Sequence, residues 1–120
     1  TAREARATNK PRFVAIADRL DAGAGALDEA TQWMAATMKS ARETALSGAT
    51  SYLRLAGDVV GGHFLTRAAL SGQNSQEAER SLALASFFAE DTLSKAPGSV
   101  ATITAAAQAL REAGSVLWSA

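Results

Sequence analysis

Residues 41–71 read ARETALSGATSYLRLAGDVVGGHFLTRAALS, and this stretch decides the fold. Leu46, Ala49, Leu53, Ala56, Val60 and Phe64 recur mostly at steps of three and four, the spacing of one helical face. Ala45, Tyr52, Val59 and His63 widen that face, so the helix is expected to touch more than one neighbour. Ser40-Ala-Arg-Glu43 matches a capping box, in which Ser and Glu side chains satisfy the free N–H groups of a helix start. Gly72 closes the segment. Gly57, Gly61 and Gly62 lie mid-helix at a cost of about 1 kcal/mol each against alanine. A cost of that kind implies that a neighbouring backbone lies against them.

The flanking segments repeat the pattern. A first helix is expected over Pro11–Lys39, with proline in its first turn, where the missing N–H has no partner to lose. Its face is Phe13, Ile16, Leu20, Ala24, Leu27, Thr31, Met34 and Met38, with Gly23-Ala24-Gly25 marking a bend or a close neighbour. The second helix is Ala41–Ser71. A third is expected over Ser75–Ala96, capped by Asn74-Ser-Gln-Glu77 and lined by Ala78, Leu82, Ala85, Ala89 and Leu93, with Leu84, Phe87 and Phe88 flanking. Pro97-Gly98 should end it. A fourth follows over Ser99–Leu117, with Ser99 as cap and Val100, Ile103, Ala107, Leu110 and Leu117 facing inward. Short connections make consecutive helices antiparallel. The expected architecture is an all-α, antiparallel four-helix bundle over residues 11–120, preceded by a polar linker over 1–10.

Composition agrees. The chain has 29 alanines in 120 residues, and alanine is the best helix former because it loses no side-chain entropy. Twelve basic and twelve acidic residues cancel, so no basic footprint for nucleic acid is present. With no cysteine, thiolate metal sites, disulfides and cysteine nucleophiles are excluded, and a reducing, cytoplasmic setting is expected. No apolar run reaches the ~18 residues of a membrane span. The polar opening Thr1–Lys10 suggests a piece cut from a longer protein.

The sequence offers little chemistry. His63 is the only histidine and cannot by itself make a histidine-based metal site; a packing or interface role is expected. Asp28-Glu29 and Glu90-Asp91 are adjacent pairs, whose side chains diverge by about 100° on a helix. Gly57-Asp-Val-Val-Gly61-Gly62 follows no strand and lacks the Gly-Lys-Ser/Thr ending of a phosphate loop. Arg54 and Asp58 could form an exposed ion pair of little worth. No catalytic, metal or cofactor-binding residue is assigned. Tyr52, Gly57, Gly61, Gly62, His63, Trp33 and Trp118 are the candidate packing or interface residues, with Trp118 the leading docking anchor.

Three segments in order resemble the C-terminal helical extension of one acyl-CoA dehydrogenase subgroup. They are Ala30-Thr-Gln-Trp33-Met34; Tyr52-Leu-Arg-Leu-Ala-Gly57 leading to Gly61-Gly62; and Ala85-Ser-Phe87-Phe88-Ala89-Glu90-Asp91-Thr-Leu93 closing at Ala96-Pro97-Gly98. The resemblance spans roughly Leu20–Leu110. One departure is His63, where the family often has tryptophan after the glycine pair.

The resemblance implies a parent flavoenzyme in which a carboxylate base removes an α-proton from an acyl-CoA while FAD takes the β-hydride. None of that equipment is expected in this chain, and FAD belongs to the parent. The implied role is a structural domain packing on the dehydrogenase domains of the same parent chain, in a homo-oligomer. Such a domain should expose the apolar patch that faces its partner, and self-associate when isolated. The alternative expectation is a free-standing helical bundle for protein interaction or for coating a hydrophobic surface. A third, small-ligand binding in a bundle core, has no polar constellation behind it.

Overall fold

In the computed structural model, residues 1–72 and 76–117 are described, and among them there is no strand. Six α-helices occur: α1 (Ala2–Ala7), α2 (Pro11–Ser40), α3 (Arg42–Ser47), α4 (Ala49–Ser71), α5 (Gln76–Asp91) and α6 (Ala96–Leu117). A 3-10 turn over Leu93–Lys95 joins the last two. The chain is an all-α helical bundle.

The bundle is built from three rods. α2 is the first, α3 and α4 in sequence form the second, and α5, the 3-10 turn and α6 form the third. α5 packs beside the N-terminal half of α2 and the C-terminal half of α4, around Phe13, Ile16, Leu20, Ala69, Leu82, Ala85 and Leu93. α6 packs beside the other halves, around Ala26, Ala30, Leu55, Ala96 and Ile103. Val59 packs against both clusters. The third rod therefore runs parallel to α2, and α3–α4 runs antiparallel to both. The last two helices meet end to end, where an antiparallel pair was expected. Pro97 is the reason: it cannot donate to the carbonyl four residues back, and its ring would crowd that carbonyl. The helix of α5 stops at Asp91, tightens into the 3-10 turn and restarts at Ala96 with Pro97 in the first turn. Ser99, expected as the cap, lies inside α6 and donates from Oγ to the Lys95 carbonyl at 3.2 Å.

End-to-end stacking makes the molecule long. Its principal extents are 65 × 21 × 17 Å and its radius of gyration is 17.7 Å, against roughly 14 Å for a compact domain of this length.

Other expectations shift in detail. Residues 1–10, expected as a linker, contain α1, which lies on α2 with Ala5 fully buried. Asn9 (φ 56°) breaks the chain before Pro11 opens α2. The split between α2 and α3 falls at Ala41, close to the expected boundary, yet no side chain caps the start of α3; Ser40 Oγ donates back to the Ala36 carbonyl. Gly48 adds a second break. A Cβ there would stand 2.8 Å from the Ile103 carbonyl oxygen, so α6 lies directly against it. The Asn74–Ser75 cap lies outside the described residues.

Among the described residues, eleven of the eighteen buried apolar residues are alanines, so the helices meet at close range. Buried Thr66 donates from Oγ1 to the Gly62 carbonyl at 2.7 Å, and no buried side-chain polar atom among the described residues is unpaired. The largest buried anchors are Phe13, Ile16, Leu55, Leu93 and Ile103.

Glycine substitutions should separate sharply. Gly57 has nothing within 4 Å of a built Cβ, so Gly57→Ala should stabilise the monomer by about 0.5–1 kcal/mol. Gly48→Ala forces a backbone contact and should destabilise it by about 1–3 kcal/mol. Urea unfolding under monomeric conditions measures both; equal effects would contradict the packing described. Ile103→Ala, at the centre of the second cluster, should cost about 2–5 kcal/mol in the same measurement.

Candidate interface

α4 buries the face opposite to the one its large side chains favour. Its buried residues are Leu55, Gly62, Thr66 and Ala69, with Tyr52 and Val59 half-buried beside them. Leu53, Val60 and Phe64, read from sequence as the inner stripe, point outward with Leu46 of α3; Leu53 is 67% and Phe64 65% exposed. The physical cause is helix spacing. Only glycine, threonine and alanine at 62, 66 and 69 let α4 lie close to α5 and the 3-10 turn, and the leucine and phenylalanine positions are turned away. On neighbouring α5, Leu84 is exposed and Phe87 is 68% exposed, whereas Phe88 reaches to 3.5 Å from a Cβ built on Gly61. The fourth expected stripe is also split: Ile103 and Ala107 are buried, but Leu110 and Leu117 are exposed.

The outward face of α4 is centred on exposed Leu53, Gly57, Val60, Phe64 and Ala68, with half-buried Gly61 on one side and exposed Arg54 and Arg67 at its two edges. Gly57 meets nothing in its own chain, so intrachain packing does not account for a glycine there. Gly62 is different: a Cβ would stand 2.7 Å from Leu93 Cδ1. His63 is exposed at the edge of the face, where its Nδ1 pairs with Thr1 Oγ1 at 2.6 Å and its ring meets Phe64 edge-on at 5.5 Å. Trp33 is half-buried against the second core cluster with Tyr52, whose hydroxyl pairs with Thr31 Oγ1 at 2.8 Å. Trp118 lies outside the described residues. Arg54 and Asp58 form no ion pair within 4 Å, and α4 carries its charge contact instead at Arg67.

α1 closes over one flank of this region through polar contacts the sequence reading missed. Glu4 accepts from Arg67 of α4, and Arg6 donates to Asp18 (2.7 Å) and Asp21 of α2. The hydrogen bond from Arg67, and then its charge, hold the Glu4 carboxyl below its ordinary range. The Asp18 and Asp21 carboxylates raise Arg6. The available signal was Ala2 and Ala5 at a helical step among alternating charges, too short a pattern to predict a helix alone.

A second feature is an open groove of about 560 Å³ at the far end of the rod. It lies between α3 and the end of α6 and is lined by residues including Arg42, Thr44, Ser47, Leu110 and Arg111. No group of three or more His, Asp or Glu among the described residues is placed to hold a metal, and no described helix is long and apolar enough to cross a membrane.

The segments singled out in sequence meet one another. Tyr52 joins Thr31; Gly62 receives Leu93; Gly23 faces Val59, Leu93 and Ala96. A family model described as acetyl-CoA dehydrogenase C-terminal like matches residues 1–113. The chain belongs to this family. No curated protein and no solved structure matches it. As an acetyl-CoA dehydrogenase C-terminal-like domain, the match includes α1 and all but the end of α6, so the α1 contacts belong to the domain.

The Glu4 contact has a definite pH sign. A carboxyl held below its unfolded value stabilises the fold above that value, and the contribution fades as pH falls through the folded one. Acidification from pH 7 to about 3 should therefore lower the amide protection factors, taken against the intrinsic exchange rate at each pH, in residues 2–7 before it does so in α2. Glu4→Gln should show the lower protection already at pH 7.

Proposed function

We propose that this chain is the C-terminal assembly domain of an FAD-dependent acyl-CoA dehydrogenase, and that its task is to bury the outward apolar face of α3, α4 and α5 against protein. The observation that carries the reading is the inverted distribution of side chains within a family member: alanines inside, and Leu46, Leu53, Val60, Phe64, Leu84 and Phe87 outside. A patch of that size marks an interface. The dehydrogenase domains of the same parent chain and other subunits of a homo-oligomer are the partners, in a cytoplasmic enzyme of fatty acid metabolism. The parent oxidises acyl-CoA to 2-enoyl-CoA; FAD, held by the dehydrogenase domains, supplies the hydride chemistry there. This chain supplies no reacting group. Its contribution is burial, at about 25 cal/mol per Å² of apolar surface.

The test is made on the full-length parent. Phe64→Glu places a charge on the buried face, which costs several kcal/mol when it is left unpaired. The variant should lose assembled enzyme by sedimentation, with turnover per flavin in the remaining assembled fraction within about twofold of the original. Unaltered assembly, or lost turnover in a fully assembled enzyme, would contradict the reading. A parent gene encoding no flavin domain would end it in favour of a free-standing interaction bundle.

A further inference from the structure

We infer that the outward face of α4 pairs with the same face of a second copy of this chain, around a two-fold axis crossing the helix between Val60 and Gly61. The inference rests on the assembly reading and names the partner for this part of the face.

The pattern of sizes along the helix carries it. An isologous contact must be complementary to itself, so each protruding residue needs a small one at the mirrored position on the same face. An antiparallel two-fold between Val60 and Gly61 sets Phe64 opposite Gly57 of the second copy, Val60 opposite its Gly61, and Leu53 opposite its Ala68. At the centre of the face each large residue meets a small one. This arrangement explains the glycine at 57, which costs stability in the monomer and touches nothing there. Docking on an unrelated body would need no such symmetry.

Charge and area agree. The centre of the face is uncharged, with Arg54 and Arg67 only at its edges, so pairing the centre with its own copy leaves no ion to desolvate there. With side chains offering about 150–250 Å² when aromatic and somewhat less when aliphatic, the exposed parts of Leu53, Val60, Phe64, Leu84 and Phe87 amount to roughly 500 Å². A stable interface buries about 800 Å² per partner, a little over half of it apolar, so the patch supplies the share a dimer needs.

The experiment uses the absence of cysteine in the chain. Val60→Cys introduces one thiol beside the proposed axis, and Ala101→Cys places one on the exposed side of α6 as control. Under mild oxidation Val60→Cys should form a disulfide-linked dimer at least tenfold faster than the control, since the bond requires Cα atoms within about 7 Å. Gly57→Leu, which the monomer has room for, should fill the seat of Phe64. By sedimentation equilibrium it should weaken dimerisation at least tenfold, with the helical circular dichroism unchanged, while the unmodified chain reaches about twice 12.4 kDa. Equal cross-linking of the two thiols, or dimerisation of Gly57→Leu as tight as the original, would overturn the pairing. If the chain stays monomeric while Phe64→Glu still dissociates the full-length parent, the pairing falls and the assembly reading stands. If Phe64→Glu leaves the parent assembled, the assembly reading falls by its own test.

Discussion

Leu93 can sit where it does only because α2 and α4 both withhold a side chain. Its methyl groups would lie 3.6 Å from a Cβ at Gly23 and 2.7 Å from one at Gly62, and it is buried to 1% exposure. This contact sets the distance between the rods at their middle, where the two core clusters meet. It also fixes the register of the third rod, because the 3-10 turn presents Leu93 inward just before Pro97 forces a new helix to begin. The lengthwise stacking of α5 and α6, and the 65 Å reach of the molecule, follow from that one junction.

Close spacing at the waist propagates outward. Helices held near one another leave room between them for methyl groups but not for rows of leucine, so alanine dominates the interior. The larger apolar side chains of α4 and α5 are then displaced to the surface. In an ordinary monomer that placement would invite aggregation. In this chain it leaves Leu53, Val60, Phe64, Leu84 and Phe87 exposed.

Helix existence was legible in the sequence because it depends on period and propensity, both local. The inner stripe of α5, from Ala78 to Ala89, was legible too, since polar residues oppose it. The inner face of α4 was not. That helix is apolar or small most of the way round, and ranking residues by hydrophobicity selects Leu53, Val60 and Phe64 over Gly62, Thr66 and Ala69. Fit between neighbours, which a single segment does not encode, reverses the ranking. The same limit hid Gly48, whose glycine answers to a carbonyl 55 residues away on α6. α1 escaped notice because it is held by ion pairs to Asp18, Asp21 and Arg67, partners that only the folded chain assembles.

An interior made mostly of methyl groups also shapes the response to temperature. Melting exposes less nonpolar surface per residue than in a core of leucine and phenylalanine, and nonpolar exposure is what raises the heat capacity of the unfolded chain. The heat-capacity step should fall below the usual ~12–15 cal/mol/K per residue. A smaller step flattens the stability curve, so a modest net stability persists over a wider span from cold to warm.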